Sequence, residues 1–399
     1  MCFGAVTFRL PLAIVAVAAT SSAQEIEDPS GSLATFHAAL ARTAAREPGA
    51  VTRVAHFGDS LMVADGPTGA LRRRFQARFG DAGHGFVLLG EPWVFYRHRN
   101  VRSGSTGRWK QYRVTHPRDP VGLYGLGGVS FRSGRRGASA WVSTDPDGPV
   151  GQAVSRFVVS YLRRPGAGSF EIVVDDLFVR RVPTAADVPE SAFHTVILPD
   201  GAHRLEIRAA GDGEVRLFGV VLERDGPGVV WDSLAVTGAR AAAFLDADEP
   251  HFRGQLERRR PDLVVVGLGT NESSSPNIPA DQVEARTGEL LARMKAVVPA
   301  CLVLSPPDRV GTRAGGTTTP DSLLRVVGAQ RRAAHGAGCA FFDTFRAMGG
   351  RGAMQRWWLR GLAAPDRRHL SEEGNEAMAQ LVENAILAGF DAATLRPHE

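Results

Sequence analysis

Lysine is almost missing from this 399-residue sequence: Lys110 and Lys295 stand alone, and the rest of the 47 basic residues are arginines. Against 42 acidic residues they leave a formal net charge of +5, dispersed along the chain. So small an excess gives no support to nucleic acid as a partner. Cysteine is scarce, at three residues, which excludes a small fold framed by disulfides. Glycine (45) and proline (24) follow no period and 44% of residues are hydrophobic, which excludes collagen-like and disordered chains. The sequence has no His-Glu-x-x-His, no Cys-x-x-Cys and no phosphate loop, so neither a metal nor a cofactor is expected. Asp175-Asp176 could help bind calcium, but a solvated strand end accounts for the pair as well. Long apolar runs are lacking too, apart from one short stretch near the N-terminus.

That stretch has the layout of a secretory signal peptide. Arg9 precedes an apolar run from Leu10 to Ala19, then Thr20-Ser21-Ser22-Ala23-Gln24, with cleavage expected after Ala23. A bilayer span needs about 20 apolar residues, so a retained anchor is the lesser alternative. The mature chain is expected to be periplasmic or secreted, with no membrane span. Cys2 leaves with the signal. Cys301 and Cys339 each open an apolar run that reads as a buried strand. An oxidising compartment allows them to pair, and two buried free thiols fit the same pattern.

The hydrophobic pattern divides the remainder. Residues 24–90 and 227–399 alternate short continuous apolar runs with amphipathic stretches. The runs are Val54–Phe57, Val229–Trp231, Leu263–Val266, Leu302–Leu304 and Phe341–Phe342. Continuous runs suit parallel strands covered on both faces. In residues 68–79 Leu71, Phe75 and Phe79 recur every four positions, with arginines expected on the other face. Helices are also expected over 281–298, 321–335 and 372–388. Together these predict an α/β domain, a parallel sheet between helical layers. Residues 91–226 differ: Arg204–Arg208 and Ser169–Ile172 alternate polar and apolar, and Pro199-Asp200-Gly201 and Gly211-Asp212-Gly213 are turn signals. This segment is expected to be a β-sandwich inserted between the first two strands of the α/β sheet.

Four short elements carry chemistry. Gly58-Asp59-Ser60-Leu61 ends the first strand, where open parallel sheets place their ligands, although Gly-Asp-Ser is also an ordinary turn. Asp366-Arg367-Arg368-His369 spaces a carboxylate and an imidazole three apart. On one side of a helical turn the carboxylate could orient the imidazole toward a nucleophile; a plain helix start with a loop histidine is the alternative. Asn271, in Gly269-Thr270-Asn271-Glu272 after the third strand, could aim its amide at an oxyanion or simply cap a helix. Gly238, after the second strand, could lend a backbone N–H.

In this order the four blocks resemble the SGNH, or GDSL, hydrolase superfamily. The resemblance implies a flavodoxin-like sheet in strand order 2-1-3-4-5. It implies Ser60 as nucleophile, His369 as base and Asp366 as the group that orients it. Ser60 N–H, Gly238 N–H and the Asn271 amide would form the oxyanion hole. The glycine block lacks a typical neighbouring asparagine, and Glu272 stands where Asp is common. His56–Leu71, Phe79–Phe86 and Val229–Arg240 look like the periplasmic peptidoglycan O-acetylesterase branch, which also carries a β-rich insertion.

The expected function is an exported serine esterase that removes O-acyl, most simply O-acetyl, groups from a cell-wall or other glycan. The alternatives are a glycan O-acetyltransferase using the same acyl-enzyme, a lipase or thioesterase, and a glycan-binding protein on an inactive scaffold. Trp109, between Arg108 and Lys110, is the expected substrate-stacking residue among the insertion's aromatics, and Trp357-Trp358 are expected to wall the site. A chemistry without metal makes ester hydrolysis indifferent to EDTA. Loss of activity in EDTA that added metal restores would overturn it.

Overall fold

The computed structural model describes residues 25–311 and 318–394; the expected signal segment lies outside the described residues. Five parallel strands form the central sheet: strand one (Val51–Gly58), two (Gly228–Ala235), three (Leu263–Gly267), four (Cys301–Leu304) and five (Ala340–Phe342). Their spatial order is 2-1-3-4-5, the order expected. Alternate side chains serve opposite layers. Val54, Leu263 and Val265 join helices Ala34–Ala44, Gly66–Phe79 and Glu372–Thr394 in one core. Ala55, Val264 and Val266 pack with Leu256, Leu290, Met294, Leu323 and Val327 in the other. Both faces of each strand are therefore covered, which is why the runs are continuously apolar.

Helix Gly66–Phe79 buries Leu71, Phe75 and Phe79 as the four-residue spacing requires. Its arginines depart from expectation. Arg72 is fully buried, paired with the equally buried Asp65, and donates to the Trp231 carbonyl at 3.2 Å. Arg73, Arg74 and Arg78 reach across to Glu376, Glu383 and Asp391 of the C-terminal helix. The polar face of this helix is thus an ionic contact between helices. Gly66 permits the close approach, since a Cβ there would lie 2.6 Å from the Asn375 side chain.

Between strands one and two the chain builds two antiparallel sheets. One has six strands and the other five, and their inward residues share a continuous apolar core. The six-stranded sheet already includes Gly85–Val87, paired with Val215–Glu223, so its pairing begins six residues before the expected boundary at 91. The expected turn at Pro199–Gly201 is instead an irregular end of strand Glu190–Gly201, with a register shift between Ile197 and Gly201. Asp175 and Asp176, at φ 50° and 64°, make the tight turn between Ser169–Val174 and Leu177–Pro183. No cluster suited to a metal occurs among the described residues, and no described helix is long and apolar enough to cross a membrane.

Asp81 and His84 hold the sandwich to the hydrolase sheet. Asp81 accepts the Gly151 N–H at 2.8 Å, and His84 Nε2–H donates to the Gly151 carbonyl at 3.0 Å. Burial, then the Arg72 charge, lowers the His84 pKa to about 4, so the ring is neutral.

Cys301 and Cys339 are disulfide-bonded, joining the start of strand four to the residue before strand five across 38 positions. Closing a loop of that length in the unfolded chain is worth roughly 4 kcal/mol in the chain-entropy description. Equilibrium urea unfolding should therefore shift to a lower midpoint under reducing conditions. An unchanged midpoint would remove the bond from the stability of the fold.

Candidate active site

The site is assembled by the ends of strands one, two and three. Gly58 pairs laterally with Ala235 on one side and Gly267 on the other, so all three strands stop at one level. The turns that leave these three strand ends therefore project into the same space. Asp59–Asp65 makes two successive turns: Met62 N–H donates to the Asp59 carbonyl at 3.0 Å and Asp65 N–H to the Met62 carbonyl at 2.8 Å. Ser60 sits on the first. After strand two, Ala239 N–H closes a turn onto the Val236 carbonyl at 3.0 Å, with Gly238 at φ 76°, a conformation glycine adopts freely. After strand three, Thr270–Ser273 forms one short helix carrying Asn271.

Asp366 and His369 arrive from the far end of the chain. They do not occupy the helical turn expected of them: they lie in a tight loop closed by a bridge between Ala363 and Leu370. The Asp366 carboxylate organises that loop itself, since one oxygen accepts the N–H groups of Arg368 and His369, each at 3.0 Å. The other oxygen accepts from His369 Nδ1 at 2.6 Å. His369 Nε2 then faces Ser60 Oγ at 3.0 Å. Burial alone would raise the Asp366 pKa, but the hydrogen bonds from the His369 ring and from the two N–H groups lower it. A carboxylate that holds the Nδ1 proton leaves Nε2 free to accept one from the serine, the geometry of an activated nucleophile.

Trp357 and Trp358 lie under this loop. Trp357 is buried with Met348, Met354 and Met378, and its indole N–H donates to the Met348 carbonyl at 3.1 Å. The Arg367 guanidinium stacks 4.4 Å above the Trp358 ring.

Asn271 directs one amide hydrogen to the Ala239 carbonyl at 2.9 Å, which links the third block to the turn holding Gly238. Glu272 strengthens the same link by accepting the Ala241 N–H at 3.0 Å. The sequence signalled Glu272 only as a substitute for Asp. Ser60, Asn271 and His369 are half-buried, while Gly238 and Asp366 are exposed. Trp109 is not drawn into this group: it packs on the sandwich core and donates its indole N–H to the Ser139 carbonyl at 3.0 Å. The tryptophan packed against Met62, Val63 and Ala235 is Trp93. Its apolar flanks drew no attention in sequence, where the charged flanks of Trp109 favoured that residue, because the fold rather than the flanking residues decides which ring packs beside the Ser60 turn.

The model of the GDSL-like Lipase/Acylhydrolase family matches residues 200–377, a stretch that includes Gly238, Asn271, Asp366 and His369 but not Ser60. A solved structure titled "Peptidoglycan O-acetylesterase in action" superposes with a TM-score of 0.76 at 23% identity, over 90% of this chain and 96% of that one. This likeness shows the fold. A family two carbohydrate esterase from Clostridium thermocellum matches at 12% identity, over 72% of this chain and 100% of its own, with a TM-score of 0.30. No curated protein matches the chain. The family match thus takes in residues 200–377, less than half of the chain, and the likeness to the esterase structure is one of fold.

Beneath the nucleophile turn lies Asp59, fully buried. One oxygen accepts the Leu61 N–H at 3.0 Å, and the Thr270 hydroxyl lies beside the carboxyl. Burial raises its pKa, the Leu61 N–H opposes that, and the neighbouring Glu272 carboxyl raises it again, to about 7. Burial raises Glu272 as well. Since the unfolded value for Asp59 is 3.8, the folded state holds its proton more tightly, and this contribution to stability is lost as pH rises from about 4 through 7. Asp59→Asn keeps the acceptor for Leu61 and cannot ionise. Its melting temperature relative to wild type should therefore climb between pH 5 and pH 8. A difference independent of pH would show that Asp59 does not titrate in that window.

Proposed function

We propose that the protein is an exported serine esterase that removes O-acyl groups, most simply O-acetyl, from a cell-wall glycan. The observation that carries this reading is the continuous Ser60–His369–Asp366 chain, with contacts of 3.0 and 2.6 Å, at the carboxyl edge of the parallel sheet. In the reaction Ser60 Oγ attacks the ester carbonyl carbon while His369 Nε2 takes its proton. The carbonyl oxygen becomes an oxyanion held by the N–H groups of Ser60 and Gly238 and by the second amide hydrogen of Asn271. The C–O bond to the sugar breaks, the sugar oxygen takes the proton from His369, and the acyl group stays on Ser60. Water then attacks the acyl-serine with His369 again as base, and the carboxylic acid leaves. Asp366 stays ionised throughout and stabilises the imidazolium formed in each half.

Glycan as substrate is supported by the exposure of the site and by its setting. A site whose members are half-buried or exposed admits a group displayed on a polymer. Trp93 beside the nucleophile turn supplies an aromatic wall of the kind sugars pack against, and this replaces Trp109 as the stacking candidate. The likeness in fold to a peptidoglycan O-acetylesterase extends through the sandwich, which favours acetylated peptidoglycan over an acetylated plant polymer.

Ser60→Ala and His369→Ala should each abolish hydrolysis of a chromogenic acetyl ester with unchanged circular dichroism, because triad members act as a unit. Asn271→Ala should lower kcat by roughly 10²–10³. Substantial activity in either triad variant would overturn the mechanism. Mass spectrometry of acetylated peptidoglycan and of acetylated xylan after incubation tests the substrate, with acetyl loss expected from peptidoglycan. Acetyl loss from xylan alone would reassign it.

A further inference from the structure

At the opposite edge of the parallel sheet from Ser60 lies a second cavity, of about 360 Å³, between the outer face of the six-stranded sheet and helix Glu249–Arg259. Its floor consists of cross-strand rows. Phe193 lies beside Ser160, and Thr195, Val158 and Val221 form the next row. Five guanidinium groups border it: Arg53 from strand one, Arg156 from the sandwich, and Arg258, Arg259 and Arg260 from the end of the helix.

Two buried carboxylates answer only part of this charge. Glu223 accepts both forks of Arg53 at 2.9 Å, Arg156 at 2.6 Å and Arg259 at 2.5 Å. Asp232 takes the other side of Arg259 at 2.6 and 2.9 Å. Burial would raise the Glu223 pKa, but Arg259 and Arg53 hold it far below the usual carboxylate range, so these charges are fixed. Arg156 also reaches the exposed Asp225 at 3.5 Å. Arg258 and Arg260 have no carboxylate partner among the described residues, and Arg258 lies 5.4 Å from the centre of the Phe193 ring. Ser160, 3% exposed, is one of the lining residues, and its buried hydroxyl has no hydrogen-bond partner.

A buried hydroxyl without a partner is costly and rare. An apolar floor with a few convergent polar groups, in a space of a few hundred Å³, is the form of a small-molecule site. Guanidinium forks that already grip carboxylates in this seam are suited to one more. We propose that the seam is a second binding site, for a sugar unit bearing a carboxylate: Arg258 and Arg156 take the anion, Ser160 a hydroxyl, and Val158 and Val221 the apolar face of the ring. The sugar body rests on the glycan reading above; the anion does not. Along strand one, Arg53 and the nucleophile turn are separated by roughly 20 Å, so occupancy here leaves Ser60 open.

Calorimetric titration of the full chain with N-acetylmuramic acid and with N-acetylglucosamine tests this, since the second sugar lacks the first one's carboxylate. N-acetylmuramic acid should bind wild type and Ser60→Ala equally. Loss of one charged hydrogen bond, in Arg258→Ala or through the choice of N-acetylglucosamine, should weaken binding by about ten-fold. Ser160→Ala should weaken it less. Hydrolysis of a small acetyl ester by Arg258→Ala should match wild type, which separates this site from the esterase reading. No binding, equal binding of both sugars, or binding undiminished in Arg258→Ala would each overturn the proposal.

Discussion

The register of strand one between strands two and three is the constraint on which the rest depends. Gly58 is level with Ala235 and Gly267, so three turns that are distant in sequence emerge side by side. A slip of one residue would turn every side chain of strand one to the opposite layer, exchanging Val54 and Ala55 between two differently shaped cores. It would also move the nucleophile turn by about 3.3 Å, beyond reach of the imidazole. The apolar packing of both layers therefore fixes the geometry of the polar site. The site needs little structure of its own beyond the loop that Asp366 folds around its carboxylate.

The scarcity of lysine acquires a physical sense in the folded chain. The buried charges are forked: Arg259 spans Asp232 and Glu223, Arg53 meets Glu223 with two nitrogens, and Arg72 divides its donors between Asp65 and the Trp231 carbonyl. An ammonium group cannot satisfy two fixed acceptors in one plane in this way. Arginines join the sandwich to the hydrolase sheet and the second helix to the last one, so they act as structural links as much as surface charge.

Much of this was legible in sequence because burial on both faces leaves continuous apolar runs. Val54–Phe57 and Leu263–Val266 could be placed as parallel strands, and Leu71, Phe75 and Phe79 as the inner face of a helix. The pieces of the site were readable as short motifs with a fixed order. The features that escaped depended on tertiary partners. Arg72 reads as solvated until Asp65 is folded back onto it. Gly85–Val87 is too short to show a period. The charged residues flanking Trp109 favoured it in sequence, whereas Trp93 is the one packed against Met62 and Val63. The Asp366–His369 spacing fits a helical turn as well as the loop that forms, because only the bridge from Ala363 to Leu370 separates the two.

The hydrogen bond from Ser60 to His369 spans 309 positions of the chain, with the whole sandwich and four of the five parallel strands made in between. During synthesis Ser60 exists long before His369. Strand one must wait, without either lateral neighbour, while the inserted sheets are completed. The Ser60–His369 contact is therefore a property of the finished molecule: a nascent, truncated or clipped chain holds an ordinary serine, and the imidazole reaches it only when the last strands and the loop after them are in place.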